Sequence, residues 1–119
     1  MKELLLVALG GAVGSVLRYA AGGAARAVLP ERHFLGTFAV NIIGSLIIGA
    51  LFAKVSSLGD DMFLLAAVGF CGGFTTFSAL SLETLRLIQS GEIMTATLYA
   101  VGSIVVGLGA CWVGYKVAL

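Results

Sequence analysis

The chain has 119 residues, of which 60% are hydrophobic and only 11% charged, with 7 Lys and Arg against 6 Asp and Glu. A water-soluble domain of this size would lack the polar surface to cover itself, so the expected fold class is an all-α membrane protein. The chain carries no nucleotide-binding glycine motif and no soluble domain, and neither nucleotide nor nucleic acid is an expected partner.

Four apolar stretches, at about 4–29, 34–55, 62–88 and 93–119, each reach the roughly 20 residues that cross a bilayer core as a helix. They predict one transmembrane domain over residues 1–119. PERHF around Pro30, KVSSLGDD from Lys54 and QSGE from Gln89 separate the spans, and connections this short force consecutive helices to run antiparallel. The first span is too long for a signal sequence and lacks a small-residue cleavage pattern, so it is expected to stay in the mature protein. On it Gly10, Gly14, Arg18 and Gly22 recur every four residues, a face on which helices can approach closely. A guanidinium at Arg18 costs about 2.5 to 3.5 kcal/mol in mid-membrane unless it meets carbonyls, hydroxyls or an aqueous vestibule. Two roles fit it: pinning subunits together, or drawing anions toward a pathway.

The second span repeats the four-residue step with polar groups, Thr37, Asn41 and Ser45. Hydrogen bonds between helices would explain such a stripe at about 1 kcal/mol each. Asn41 points further, because an amide with two donors is costly to leave unpaired in hydrocarbon and belongs beside an interior or cavity. In the third span, Gly72 and Gly73 weaken the helix while Thr75, Thr76 and Ser78 can rebond freed backbone groups, so this segment is predicted to break in mid-membrane. Freed carbonyls ending the first half would attract a cation; freed amides and hydroxyls starting the second would attract an anion. Phe77 could offer its positive ring edge to a small anion there. A tightly packed glycine helix is the alternative. The fourth span aligns Tyr99, Ser103 and Gly107 on one face; Tyr99 also fits an interface anchor, and Ser103 can bond back to its own helix. Cys71 and Cys111 lie inside spans without metal-ligand spacing and read as small apolar packing groups.

Four spans put both termini on one side, with Lys2, Lys54 and Lys116 there and Arg26, Arg32 and Arg86 opposite. Three against three leaves almost no bias in orientation, so the chain could insert both ways up and pair as an antiparallel dimer, unless lipids or one further charge decide. With no internal duplication, any inverted symmetry must come from a second copy.

Taken together, LRY at Leu17 to Tyr19 in a glycine-rich first span, GTFAVN at Gly36 to Asn41, GFCGGFTTFS at Gly69 to Ser78 followed by SLE, and Tyr99 four residues before Ser103 resemble the CrcB/Fluc family of fluoride channels. The resemblance covers nearly the whole chain. It implies a dual-topology, antiparallel homodimer in the bacterial inner or plasma membrane, with two parallel pores that export fluoride passively. It further implies a fluoride pathway along Asn41, Phe77 and Ser103, with Thr37, Tyr99, Ser81 and Glu83 beside it and Arg18 near the vestibule. Carbonyls of Gly72 and Thr75 from both copies would surround a structural sodium ion (Na+). Leu80 departs from the pattern, standing where relatives carry a second phenylalanine, and Gly107 replaces a hydroxyl residue found in some of them.

Neutral donors suit fluoride, because a permanent cation beside a small, strongly hydrated ion would hold it too tightly for conduction. The rival class is a small dual-topology multidrug or guanidinium exporter coupled to protons. That chemistry needs a deep carboxylate, whereas Glu3, Glu31, Asp60, Asp61 and Glu92 sit at span ends or loops and Glu83 lies past the middle of its span. A non-transporting assembly subunit is a third possibility. No nucleophile, base and orienting group form a constellation, so no enzyme is expected.

Overall fold

A computed structural model describes all residues, 1–119. The chain is all-helical, and four helical stretches are long and apolar enough to cross a membrane: Lys2–Val28, Phe34–Ala53, Asp60–Gln89 and Ile93–Ala118. In chain order, α1 is Lys2–Val28, α2 Phe34–Ala53, α3 Val55–Leu58 and α4 Asp60–Phe63. A π-helical stretch, Leu64–Cys71, continues α4 into α5, Gly72–Phe74; then come α6, Phe77–Gln89, and α7, Ile93–Ala118. The KVSSLGDD connection, expected as a turn, holds the four-residue α3 before Gly59, whose φ of 83° reverses the chain.

The turn into α7 is tied mainly by backbone, with Ser90 Oγ also donating to Leu87 O at 3.0 Å. Gly91, at φ 83°, donates to Ile88 O, and Glu92 donates to Leu87 O, so the last carbonyls of α6 are satisfied within the turn. Only a residue without a Cβ adopts that φ easily.

Two close helix pairs build the bundle, α1 with the first half of the third span and α2 with α7. Glycine makes both possible. A Cβ on Gly10 would overlap Leu65 O, and one on Gly14 would overlap Phe70 O, so α1 lies backbone against backbone on the third span. Gly49 meets Cys111 O and Gly114 meets Leu46 O in the same way across α2 and α7. The glycine face of α1 is thus used within the chain. Beyond Phe74 the third span changes partners, and α6 packs on α7 and α2 around Phe34, Leu80, Leu87, Ala96 and Tyr99. Only 16 of the 119 residues are buried, and the outside is dominated by leucine, valine and isoleucine, the surface of a protein whose solvent is lipid.

Candidate functional site

The third span leaves helical dihedrals at Thr75 (φ −92°, ψ 158°) and Thr76 (φ −152°, ψ 121°), while Gly72 and Gly73 stay helical. The glycines serve another purpose, since a Cβ on Gly73 would crowd Gly11 O of α1. What holds the extended pair is Asn41. Its Oδ1 accepts from Thr76 N at 2.8 Å and its Nδ2 donates to Thr76 O at 3.1 Å. Because a backbone N–H faces one side of the amide, the oxygen must lie there, and Nδ2 keeps a second hydrogen for another acceptor.

Thr76 also caps α6, accepting from Ala79 N at Oγ1 (3.1 Å), which satisfies one of the first-turn amides. These two bonds redirect the donors that a continuous helix would send four residues back. Thr76 N no longer reaches Gly72 O, and Ala79 N no longer reaches Thr75 O. Both carbonyls therefore lack the helical donor four residues on. Thr75 itself folds back, donating from Oγ1 and from N to Cys71 O at 2.8 and 3.0 Å.

Arg18 reaches the same turn from α1, its Nε donating to Gly73 O at 2.9 Å. A guanidinium at the negative end of the first half-helix is favourably placed, and the carbonyl answers its need for a partner in the membrane. On the other side, Tyr99 of α7 is only 5% exposed and donates its hydroxyl to Glu83 Oε1 at 2.9 Å. Its ring stands 4.8 Å from that of Phe34. This is an inward position, not that of an interface anchor.

Two recesses meet at Thr76. A groove of about 440 Å³ has Asn41, Ser45, Gly72, Thr75, Phe77 and Leu80 on its walls. A polar pocket of about 200 Å³ gathers Arg18, Arg26, His33, Thr37 and Glu83. Phe77, at 77% exposed, is largely uncovered by its own chain and lines the groove. Ser103 is buried and its hydroxyl has no partner. Ser45 Oγ would stand 3.6 Å from a Cβ on Gly107, so a hydroxyl of α2 faces that gap in the fourth-span stripe.

The fold therefore brings Asn41, Gly72, Thr75 and Phe77 to one recess and Arg18, Thr37 and Glu83, with its partner Tyr99, to the next. Ser81 is exposed on α6 and lines neither recess. Leu80 is buried against Phe34 and Tyr99, an apolar wall at the position of the departure. The sequence marks Thr76 only as a hydroxyl that can rebond backbone; its roles as helix cap and as partner of Asn41 come from the fold. A threonine three residues before Ala79 at a helix start was the available signal.

Comparison with known proteins bears on the same residues. Residues 5–115 match the family described as CrcB-like protein, Camphor Resistance (CrcB). A protein of Gloeobacter violaceus named fluoride-specific ion channel FluC is 47% identical over 121 residues, spanning 99% of this chain and 97% of its own. Proteins of the same name from Methylobacillus flagellatus and Thermus thermophilus are 48% and 47% identical, each spanning 98% of this chain and 94% of its own. With four membrane-crossing helices and bacterial relatives named as ion channels, this is a multi-pass membrane protein. A match over almost the entire chain, at close to half identity, places it in a family: the chain belongs to the CrcB-like proteins.

Proposed function

We propose that this protein is a fluoride-selective ion channel, through which cytoplasmic fluoride leaves the bacterial cell passively. The near-complete match to relatives that bear the name fluoride-specific ion channel carries this reading. The working unit is an antiparallel homodimer of dual topology with two pores, the third span of each copy broken in mid-membrane. The balance of three basic residues at each end of the bundle supports it, since nothing in the loops fixes one orientation.

In this reading the ion passes neutral donors in turn. Arg18 and Thr37 stand at the vestibule, where the guanidinium draws anions while its bond to Gly73 O holds it back from binding one outright. The spare Nδ2 hydrogen of Asn41 meets fluoride, and the exposed edge of Phe77 replaces water beside it. The unpartnered hydroxyl of Ser103 offers a further donor, with Tyr99 and Glu83 bordering the route, while Ser81, which lines neither recess of its own chain, could reach it only from the second copy. A fixed positive charge at the constriction would trap the ion; an amide, a ring edge and a hydroxyl let it move on. Gly72 and Thr75 of the two copies would present their carbonyls to a structural sodium ion, whose charge would offset the repulsion between facing helix ends. The chain acts by conduction and performs no catalysis.

The test is efflux from liposomes loaded with fluoride or chloride, in sodium and in a bulky organic cation, without a proton gradient. Fluoride is expected to leave and chloride to stay, with efflux falling when sodium is absent. Equal loss of both halides, or efflux that requires a proton gradient, overturns the reading, the latter in favour of a coupled exporter.

A further inference from the structure

At the end of the bundle that carries the Lys2–Asp61 ion pair, α2, α7 and α4 enclose a second groove, of about 420 Å³. Ile48, Phe52, Phe63, Leu108, Trp112 and Tyr115 line it. The Phe52 and Tyr115 rings stand 5.8 Å apart, and Trp112 is 61% exposed at the opening. Apart from Ile48, which also borders the Asn41 groove, none of these side chains lines the fluoride route.

Two cations mark the groove's outer end. Lys116 Nζ lies 5.5 Å from the centroid of the Trp112 ring, and Lys54 follows Phe52 by two residues as the residue that ends α2. Both are exposed and neither takes part in an ion pair; the chain's ion pairs are Met1–Glu3 and Lys2–Asp61. An apolar slot opening into hydrocarbon, a tryptophan and a tyrosine near a span end, and two uncompensated ammonium groups beyond them match one ligand chemistry in its order of depth: acyl chain, interface, phosphate. We propose that this groove binds an anionic phospholipid, with an acyl chain between Phe52 and Trp112 and the headgroup phosphate at Lys54 and Lys116. A zwitterionic lipid would fill the slot equally well, but its own ammonium would oppose the two lysines.

Trp112 is the only tryptophan in the chain, so its fluorescence reports this groove alone. The full-length protein is reconstituted in phosphatidylcholine vesicles containing graded fractions of phosphatidylglycerol with brominated acyl chains, and in parallel with brominated phosphatidylcholine. Both leaflets carry the probe lipid, so the orientation of the chain does not affect the readout. Bromine on phosphatidylglycerol is expected to quench Trp112 at lower mole fraction, each lysine contributing a preference of about fivefold. Lys54→Gln with Lys116→Gln removes the preference and leaves quenching by brominated phosphatidylcholine unchanged, while Lys54→Arg with Lys116→Arg keeps it. Equal quenching by the two lipids in the native protein would reduce the groove to ordinary boundary contact and overturn the proposal. So would absence of quenching by either, which would mean a second copy covers Trp112, and so would a preference that survives the double glutamine variant. Fluoride flux is not read in this experiment, so its outcome is independent of the channel reading.

Discussion

Asn41 and Thr76, 35 residues apart, are joined by two hydrogen bonds in opposite senses, the side-chain amide pairing with the backbone as a neighbouring strand would. One side chain thus takes up the amide and carbonyl that the third span exposes where it leaves the helix. The same amide retains one donor hydrogen facing the groove. Holding the turn and presenting a donor are therefore a single act.

Replacing Asn41 separates the two roles. Asn41→Asp keeps an acceptor for Thr76 N but removes both donors and adds a negative charge, so fluoride efflux from liposomes is expected to fall to background. Asn41→Leu orphans both backbone groups of Thr76, at about 1 to 3 kcal/mol for each buried group left unpaired, and is expected to lower the thermal midpoint in detergent as well. Native flux in the aspartate variant would remove Asn41 from the conduction path.

Phe77 is 77% exposed and packs little within its own chain, so its truncation tests conduction with little disturbance of the fold. Phe77→Ile is expected to leave elution volume and thermal midpoint unchanged while reducing efflux by an order of magnitude or more. Full flux in this variant would mean that the ring edge plays no part.

The glycines divide sharply by what surrounds them. A side chain at Gly14 would overlap Phe70 O, whereas a Cβ on Gly109 meets nothing within 4 Å. Gly14→Val is expected to force α1 off the third span and abolish recovery of a monodisperse protein. Gly109→Ala is expected to be neutral or to stabilise by up to about 1 kcal/mol through helix propensity. Size-exclusion profiles and thermal midpoints compare the two directly.

Arg18 and Gly73 O form the only side-chain tie from α1 to the turn at Thr75. Arg18→Met is expected to cost about 1.5 to 3 kcal/mol, the range for a charged hydrogen bond, and to lower fluoride entry from dilute solution. Measured as initial efflux at several fluoride concentrations, the defect should shrink as concentration rises, because a lost attraction matters most when ions are scarce.

Tyr99 and Glu83 connect α7 to α6 through one hydrogen bond. Tyr99→Phe and Glu83→Leu are each expected to lower the thermal midpoint, and the double variant to lower it by clearly less than their sum. Additive losses in that cycle would show that the bond contributes nothing.

Much of this architecture is written in local pattern. Lipid cannot hydrogen-bond a backbone, so roughly 20 apolar residues in succession admit little but a helix, and four such runs separated by PERHF, KVSSLGDD and QSGE leave four spans. Polar side chains repeating every four residues likewise announced the faces of α2 and α7 before any neighbour was known. What hydropathy could not decide was which face meets which. The Gly10 and Gly14 face turned out to lie on the third span of its own chain, the extended residues are Thr75 and Thr76 where the glycines had drawn attention, and Asn41 found Thr76 while Tyr99 found Glu83. Those pairings depend on the rotation and depth of each helix against the others, which close packing of the whole bundle sets and which no window of sequence contains.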